Sequence, residues 1–361
     1  MAEQLKNVYT KNYIKNLALK IKEHNNNFEI DDFINSIFDK TWQELELKQR
    51  MRYIAITLDK YLPFSYEEQL KILKLVSKDF SSFEAMFFQD FVEVFGLDDF
   101  EESMKALEVF TQDSSSEFAI RQFILKYEDK TMTQMKIWSQ SSNEHLRRLS
   151  CEGCRPRLPW AIALPKFKKD PTKVFEIIEL LKNDKSLYVK KSVANNLNDI
   201  SKDNPDLVIN FIKTNLGVSK DLDWICKHAS RTLLKKGDKE ILKLFSFDKS
   251  NHVDIQNFSC DLSVKINETL NFSFELVSQE EIGNVRIEYA IDYLKSNKNH
   301  NRKVFMISQN EIKSNSKKFI KKQSFKNMST RKHYLGIHYI SILINGEEII
   351  KKEFLLNDTC N

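Results

Sequence analysis

Residues 145–160 read H-L-R-R-L-S-C-E-G-C-R-P-R-L-P-W. Four cations (Arg147, Arg148, Arg155, Arg157) surround one carboxylate, Glu152, and a break at Gly153 and Pro156 leads to Trp160. A helix that only had to pack would not end this way. Guanidinium groups at this density suit bidentate contacts to a phosphate backbone. A carboxylate and an indole among them suit work on something cationic held beside that backbone. Cys151-Glu-Gly-Cys154 also matches C-x-x-C, the spacing of zinc and thiol-exchange sites. The chain has no second C-x-x-C and no nearby histidine pair at ligand spacing, so both cysteines are read as helix residues and no metal is expected.

The elements that must position these groups are helical. Apolar residues recur at helical spacing at Leu70, Ile72, Leu73, Leu75 and Val76, and again at Val174, Ile177, Ile178 and Leu181. Asp170-Pro171 and Asn204-Pro205 open helices, a polar cap followed by proline in the first turn. H-L-R-R-L-S-C-E from 145, Y-V-K-K-S-V-A-N from 188 and W-I-C-K-H-A-S-R from 224 share one pattern, offset by 43 and 36 residues. That period fits stacked helical hairpins of the HEAT or armadillo kind. In such a solenoid one helix of each repeat lines one face. The cations Arg147/Arg148, Lys190/Lys191 and Lys227/Arg231 are expected to share it. Trp224 and His228, one helical turn apart, are expected to pack together and touch the phosphate backbone.

Charge is unevenly distributed. Residues 28–117 carry 9 Lys/Arg against 20 Asp/Glu, whereas 118–250 carry 26 against 16 and 295–332 carry 12 against one. Two basic regions behind an acidic one favour a polyanion, nucleic acid above all. With 361 residues, 41% hydrophobic and 30% charged, the chain has globular composition and room for two domains. It has no run of about 18 apolar residues and no signal-peptide pattern. Its five cysteines form no regular framework. A cytoplasmic protein is expected, with no membrane contact.

All six prolines lie at or before 205, and alternating patterns take over after about 250. The expected domains are therefore 1–250, all-α, and 258–361, an antiparallel β-sandwich of immunoglobulin type. Strands are expected over Leu262–Ile266, Leu270–Leu276, Val285–Tyr289, Tyr339–Ile344 and Glu347–Leu356. The last two flank Asn345-Gly346, a two-residue hairpin signal. The basic segment 295–332 is expected to supply loops and an edge strand.

E-G-x-R-P-R-L-P-W at 152–160, S-V-A-N-N-L-N-D at 192–199 and W-x-x-x-H-A-x-R-x-L at 224–233 resemble the AlkC branch of the HEAT-like alkylation-repair DNA glycosylases. The C-terminal part resembles the immunoglobulin-like extension of some AlkC-type members. The resemblance implies hydrolysis of the N-glycosidic bond of N-alkylated bases, chiefly 3-methyladenine, in double-stranded DNA. It implies no cofactor and a monomer. By motif, Glu152, Trp160 and Asp199 fall on the family's active-site glutamate, tryptophan and aspartate positions, and Glu117 on a further acidic one. Arg147, Arg148, Arg155, Arg157, Lys190, Lys191, Trp224, His228 and Arg231 are the candidate DNA contacts, and the basic β-domain is a candidate clamp.

The chemistry of the residues agrees. An N3-alkylated purine is a cation and already a good leaving group, so carboxylates that stabilise charge on the sugar or activate water would suffice. On residue types alone other readings stay open. Trp160 would serve equally as core, Asp199 as a solvated helix end, and Glu152 as an ion-pair partner of Arg148 or Arg155. A non-catalytic helical-repeat module that binds nucleic acid or an acidic protein is the alternative function.

Overall fold

A computed structural model describes residues 4–247, 252–328 and 331–358. The chain forms two compact units, one ending at Ala229 and the other beginning at Ser230. The composition change marks where strands begin, at Val253, but compactness divides the chain earlier, because the helices Arg231–Lys236 and Lys239–Leu244 group with the strands. Among the described residues no helix is long and apolar enough to cross a membrane.

The first unit is a stack of helix pairs. Helices Glu144–Glu152, Leu187–Ile200 and Lys220–Ala229, the three that share a sequence pattern, pack one after another. Glu128–Ser139, Thr172–Leu181 and Pro205–Asn215 form the second layer behind them. Val189, Val193, Leu197 and Ile200 give Leu187–Ile200 its buried stripe, each worth roughly 1.5–3 kcal/mol on burial. Asn143 and Ser186 cap the starts of two front helices by accepting from the amides of His145 and Tyr188. The unequal offsets have a structural cause. The segment 153–171, which includes the short helix Pro165–Lys169, separates Glu152 from helix Thr172–Leu181, against only 201–204 between Ile200 and Pro205.

Ion pairs fasten each repeat to the next. Arg147 donates to both oxygens of Asp184 (2.5 and 3.2 Å) and to the carbonyls of Ser141 and Ser142. Lys190 pairs with Asp221 at 2.9 Å. Both cations sit at the fourth position of their helices, and both acids belong to the following repeat.

In the second unit eight strands form two sheets: β1 (Val253–Cys260), β2 (Ser263–Lys265), β3 (Thr269–Ser278), β4 (Gly283–Leu294), β5 (His300–Ile312), β6 (Ser316–Ser324), β7 (Gly336–Ile344) and β8 (Glu347–Asn357). The sheet orders are β1-β3-β6 and β2-β8-β7-β4-β5, and their inner faces meet in a core that includes Phe272, Phe274, Ile287, Ile291, Ile340 and Phe354. All pairs are antiparallel except β2–β8, so the sandwich is mixed at that edge. The basic segment supplies loops and two edge strands, β5 and β6, where one was expected. In β6 Phe319 and Gln323 are buried and the lysines around them are mostly exposed, and charged residues are well suited to unpaired sheet edges. Asn345 and Gly346 turn the β7–β8 hairpin with φ of 49° and 79°, the mirror-image turn that two-residue hairpins favour. A Cβ on Gly346 would lie 2.9 Å from Cα of Gly237, so this turn and the helical segment touch backbone to backbone.

Candidate functional site

Glu152 closes its helix, and Asp199 is the penultimate residue of the equivalent helix one repeat later. Equivalent ends of stacked helices lie side by side, and Arg155 spans them. Its Nη1 donates to Glu152 Oε1 at 2.6 Å and its Nε to Asp199 Oδ2 at 2.8 Å. Both acids are buried, at 5% and 2% exposure. Burial works against the charge on Arg155, but Glu152 and Asp199 outweigh it and hold its pKa above the ordinary arginine range. Buried charges persist when paired in this way.

The pairing extends in both directions. Arg148 Nη1 lies 2.7 Å from Glu117 Oε2 and its Nη2 lies 3.7 Å from Glu152 Oε1. Glu117 also accepts from Ser115 Oγ at 2.8 Å. Lys202 donates to Asp199 Oδ1 at 2.8 Å. The result is a row of alternating sign: Glu117, Arg148, Glu152, Arg155, Asp199, Lys202. Ser192 Oγ donates to Glu152 Oε2 at 2.6 Å, and the Tyr188 ring covers the Arg148 guanidinium at 4.6 Å. A carboxylate offers about four lone-pair sites. Asp199 uses three of them, two on Arg155 and one on Lys202.

Trp160 stands on the segment after Glu152. It is 70% exposed and has φ of 63°, a left-handed conformation that is an outlier for a bulky residue. Pro156 and Pro159 restrict the backbone before it. Arg121, fully buried, holds the segment from inside, donating to the carbonyls of Gly153 (2.9 Å), Arg155 (2.8 Å) and Ile162 (2.7 Å). Burial brings its pKa down to about 10, so it stays charged at neutral pH. Lys48 donates to the Trp160 carbonyl at 2.9 Å.

Arg121, Ser192, Tyr188, Lys202 and Lys48 are absent from the sequence-derived set. Ser192 lay within reach: it precedes Asp199 by two helical turns and therefore shares its face. Arg121 carried a weaker signal, a lone charge in the apolar run F-A-I-R-Q-F-I-L. Lys48 is distant in sequence and gave none.

Three candidate DNA contacts are enclosed and ion-paired. Arg147, Arg155 and Lys190 are buried, at 9%, 7% and 8% exposure, and their charges are consumed by Asp184, by Glu152 and Asp199, and by Asp221. The acid of Arg147 is buried with it, whereas Asp221, the partner of Lys190, is exposed. Arg148 is likewise mostly enclosed and engaged with Glu117. Arg157 is exposed, with Asp203 as its partner at 2.6 Å, and Lys191 is exposed. Trp224 and His228 stack at 4.0 Å. Arg231 opens the first helix of the second unit. Cys151 and Cys154 are buried, and burial pushes the Cys151 thiol up to about 11 and Cys154 higher still. These are core thiols rather than nucleophiles.

Comparison with known proteins divides the chain near the start of the strands. Residues 11–241 match the family model described as "DNA alkylation repair enzyme". Residues 254–358 match that described as "Uncharacterised protein YhaZ, C-terminal Ig-like domain". The chain is 44% identical over 345 residues to the protein YhaZ of Bacillus subtilis (strain 168), covering 95% of this chain and 96% of that protein. Among solved structures it is similar to the Pseudomonas fluorescens alkylpurine DNA glycosylase AlkC bound to DNA containing an abasic site analog. The TM-score is 0.92 at 35% identity, over 98% of this chain and 100% of that one.

Proposed function

We propose a reaction for this chain, which belongs to the DNA alkylation repair enzyme family: hydrolysis of the N-glycosidic bond of N-alkylated bases, chiefly 3-methyladenine, in double-stranded DNA. The observation that carries the reading is the joining of Glu152 and Asp199, from successive repeats, through Arg155. A lesion that is itself a cation is drawn to anionic groups, and this geometry joins two carboxylates from neighbouring repeats. The likeness to a glycosylase bound to abasic DNA supports the same reading.

In the proposed step the C1′–N bond breaks and its electron pair neutralises the cationic base, which leaves free. Water adds at C1′ and gives up a proton, leaving an abasic sugar in an uncleaved strand. Asp199 is assigned the proton, because among the described residues its Oδ1 is held by Lys202, a partly exposed partner. Glu152 is held by Arg155 and Ser192 and is assigned electrostatic stabilisation of the sugar. Glu117 supports it through Arg148. Trp160 offers an indole face to the cationic base or sugar, a term of ~0.5–2 kcal/mol. Arg157, Lys191, Trp224, His228 and Arg231 are assigned DNA contacts, Arg148 a positioning role, and the lysine-rich edge β6 phosphate contacts as a clamp.

The test is chromatography of bases released from N-methylated duplex DNA by the wild-type chain. Release of 3-methyladenine, with strands left intact until alkali treatment, is expected. Binding to the same DNA without any base release would replace this reading with a non-catalytic nucleic-acid module.

A further inference from the structure

The left-handed backbone at Trp160 costs about 1–3 kcal/mol and persists only where its surroundings over-determine it. Burial of the indole does not offset that cost within the chain, since the side chain is 70% exposed. What holds the segment is its carbonyls, turned onto two cations. Arg121 takes those of Gly153, Arg155 and Ile162 from the inside. The backbone adds two closures, Ala161 N to Leu158 O at 3.3 Å and Leu164 N to Pro156 O at 3.2 Å. The carbonyl of Trp160 itself is taken by Lys48, which comes from helix Leu47–Tyr61 in the acidic N-terminal region. The Lys48 ammonium also sits 4.3 Å over the ring of Phe118, the neighbour of Glu117.

We infer that Lys48 is a positioning residue for Trp160, fixing from the N-terminal helices the direction in which the indole is presented to the lesion. Its role in turnover rests on the glycosylase reading, whereas its hold on the indole does not. An exposed lysine at this place has one competing role, a direct contact to a DNA phosphate. The two make opposite predictions. A positioning residue changes the rate and leaves the electrostatics of binding alone. A phosphate contact lowers the slope of log affinity against log salt by about one and leaves kcat alone.

The experiment uses the full chain labelled with 5-fluorotryptophan, the Trp160 resonance being assigned by its loss in Trp160→Phe. In Lys48→Gln the Trp160 resonance of the free protein is expected to shift or broaden while the other three tryptophans hold position. The rate of base release should fall about 3- to 10-fold, the loss of one exposed charge-assisted hydrogen bond. DNA affinity and its salt slope should be unchanged, and Lys48→Arg, which keeps a cationic donor, should restore both signal and rate. An unmoved Trp160 resonance overturns the inference. So does a salt slope reduced by about one with kcat intact. A wild type that releases no base would sink the functional reading, but the resonance of the free protein would still decide the role of Lys48.

Discussion

Asp199→Asn is the substitution on which the proposed chemistry depends most. The asparagine keeps the shape and one acceptor oxygen but replaces the other oxygen with a donor. Arg155 donates to Oδ2 and Lys202 to Oδ1, so in either orientation the new amide nitrogen meets a cationic donor. Loss of one charge-assisted partner at a site 2% exposed is worth about 2–4 kcal/mol. At ~2–4 °C per kcal/mol for a unit of this size, Tm should fall by ~4–16 °C and the fold should survive. The rate should fall further, by roughly 100- to 1000-fold, the usual cost of removing one preorganised electrostatic group. The assay is single-turnover release of 3-methyladenine with enzyme in excess, run well below the variant's Tm, beside DNA affinity at several salt concentrations. A rate within about threefold of wild type would refute the role of Asp199. A parallel collapse of rate and affinity would show it to be a scaffold for binding instead.

Arg147→Ala should cost about 3–5 kcal/mol in urea denaturation, because it strands Asp184, whose side chain is 5% exposed. Its salt slope on DNA should not change, and a slope reduced at unchanged stability would return Arg147 to the DNA contacts. Replacing Lys317, Lys318 and Lys322 of β6 by Gln should lower the salt slope by up to about three with little loss of stability, and an unchanged slope would reject the clamp. His333 is buried, and burial together with Arg331 lowers its pKa to about 4. A depressed histidine contributes stability that is full above the unfolded value of about 6.5 and is lost as pH falls toward about 4. Wild type should therefore lose on the order of 2–3 kcal/mol more than His333→Gln across that window in equilibrium denaturation, and parallel curves for the two would contradict it.

Much of this was legible in the sequence because it rests on local rules. The repeat pattern placed the three front helices, the polar-Pro pairs marked helix starts, and Asn345-Gly346 marked the hairpin. The motifs brought Glu152, Asp199 and Trp160 forward as a group. Which cations face outward was not legible. Arg147 and Arg157 look alike in a string, and only the position of Asp184 in the following repeat decides that one is buried. The partner of Lys190 is equally hidden in the string, its acid lying 31 positions on at Asp221. β1 and β6 escaped notice because edge strands rich in polar and charged residues lose the clean alternation that a half-buried strand displays.

The pairing of Arg147 with Asp184 and of Lys190 with Asp221 has a bearing on how such a chain can be recombined. Each cation finds its acid in the next repeat, so a repeat is not a self-contained cassette. A chimera that exchanges the hairpin holding Arg147 must carry Asp184 across the junction with it. A crossover between them leaves one parent's buried charge facing the other parent's residue. Drift at these positions should come in compensating pairs, and grafts joined downstream of Asp184 or Asp221 should outlast those joined upstream.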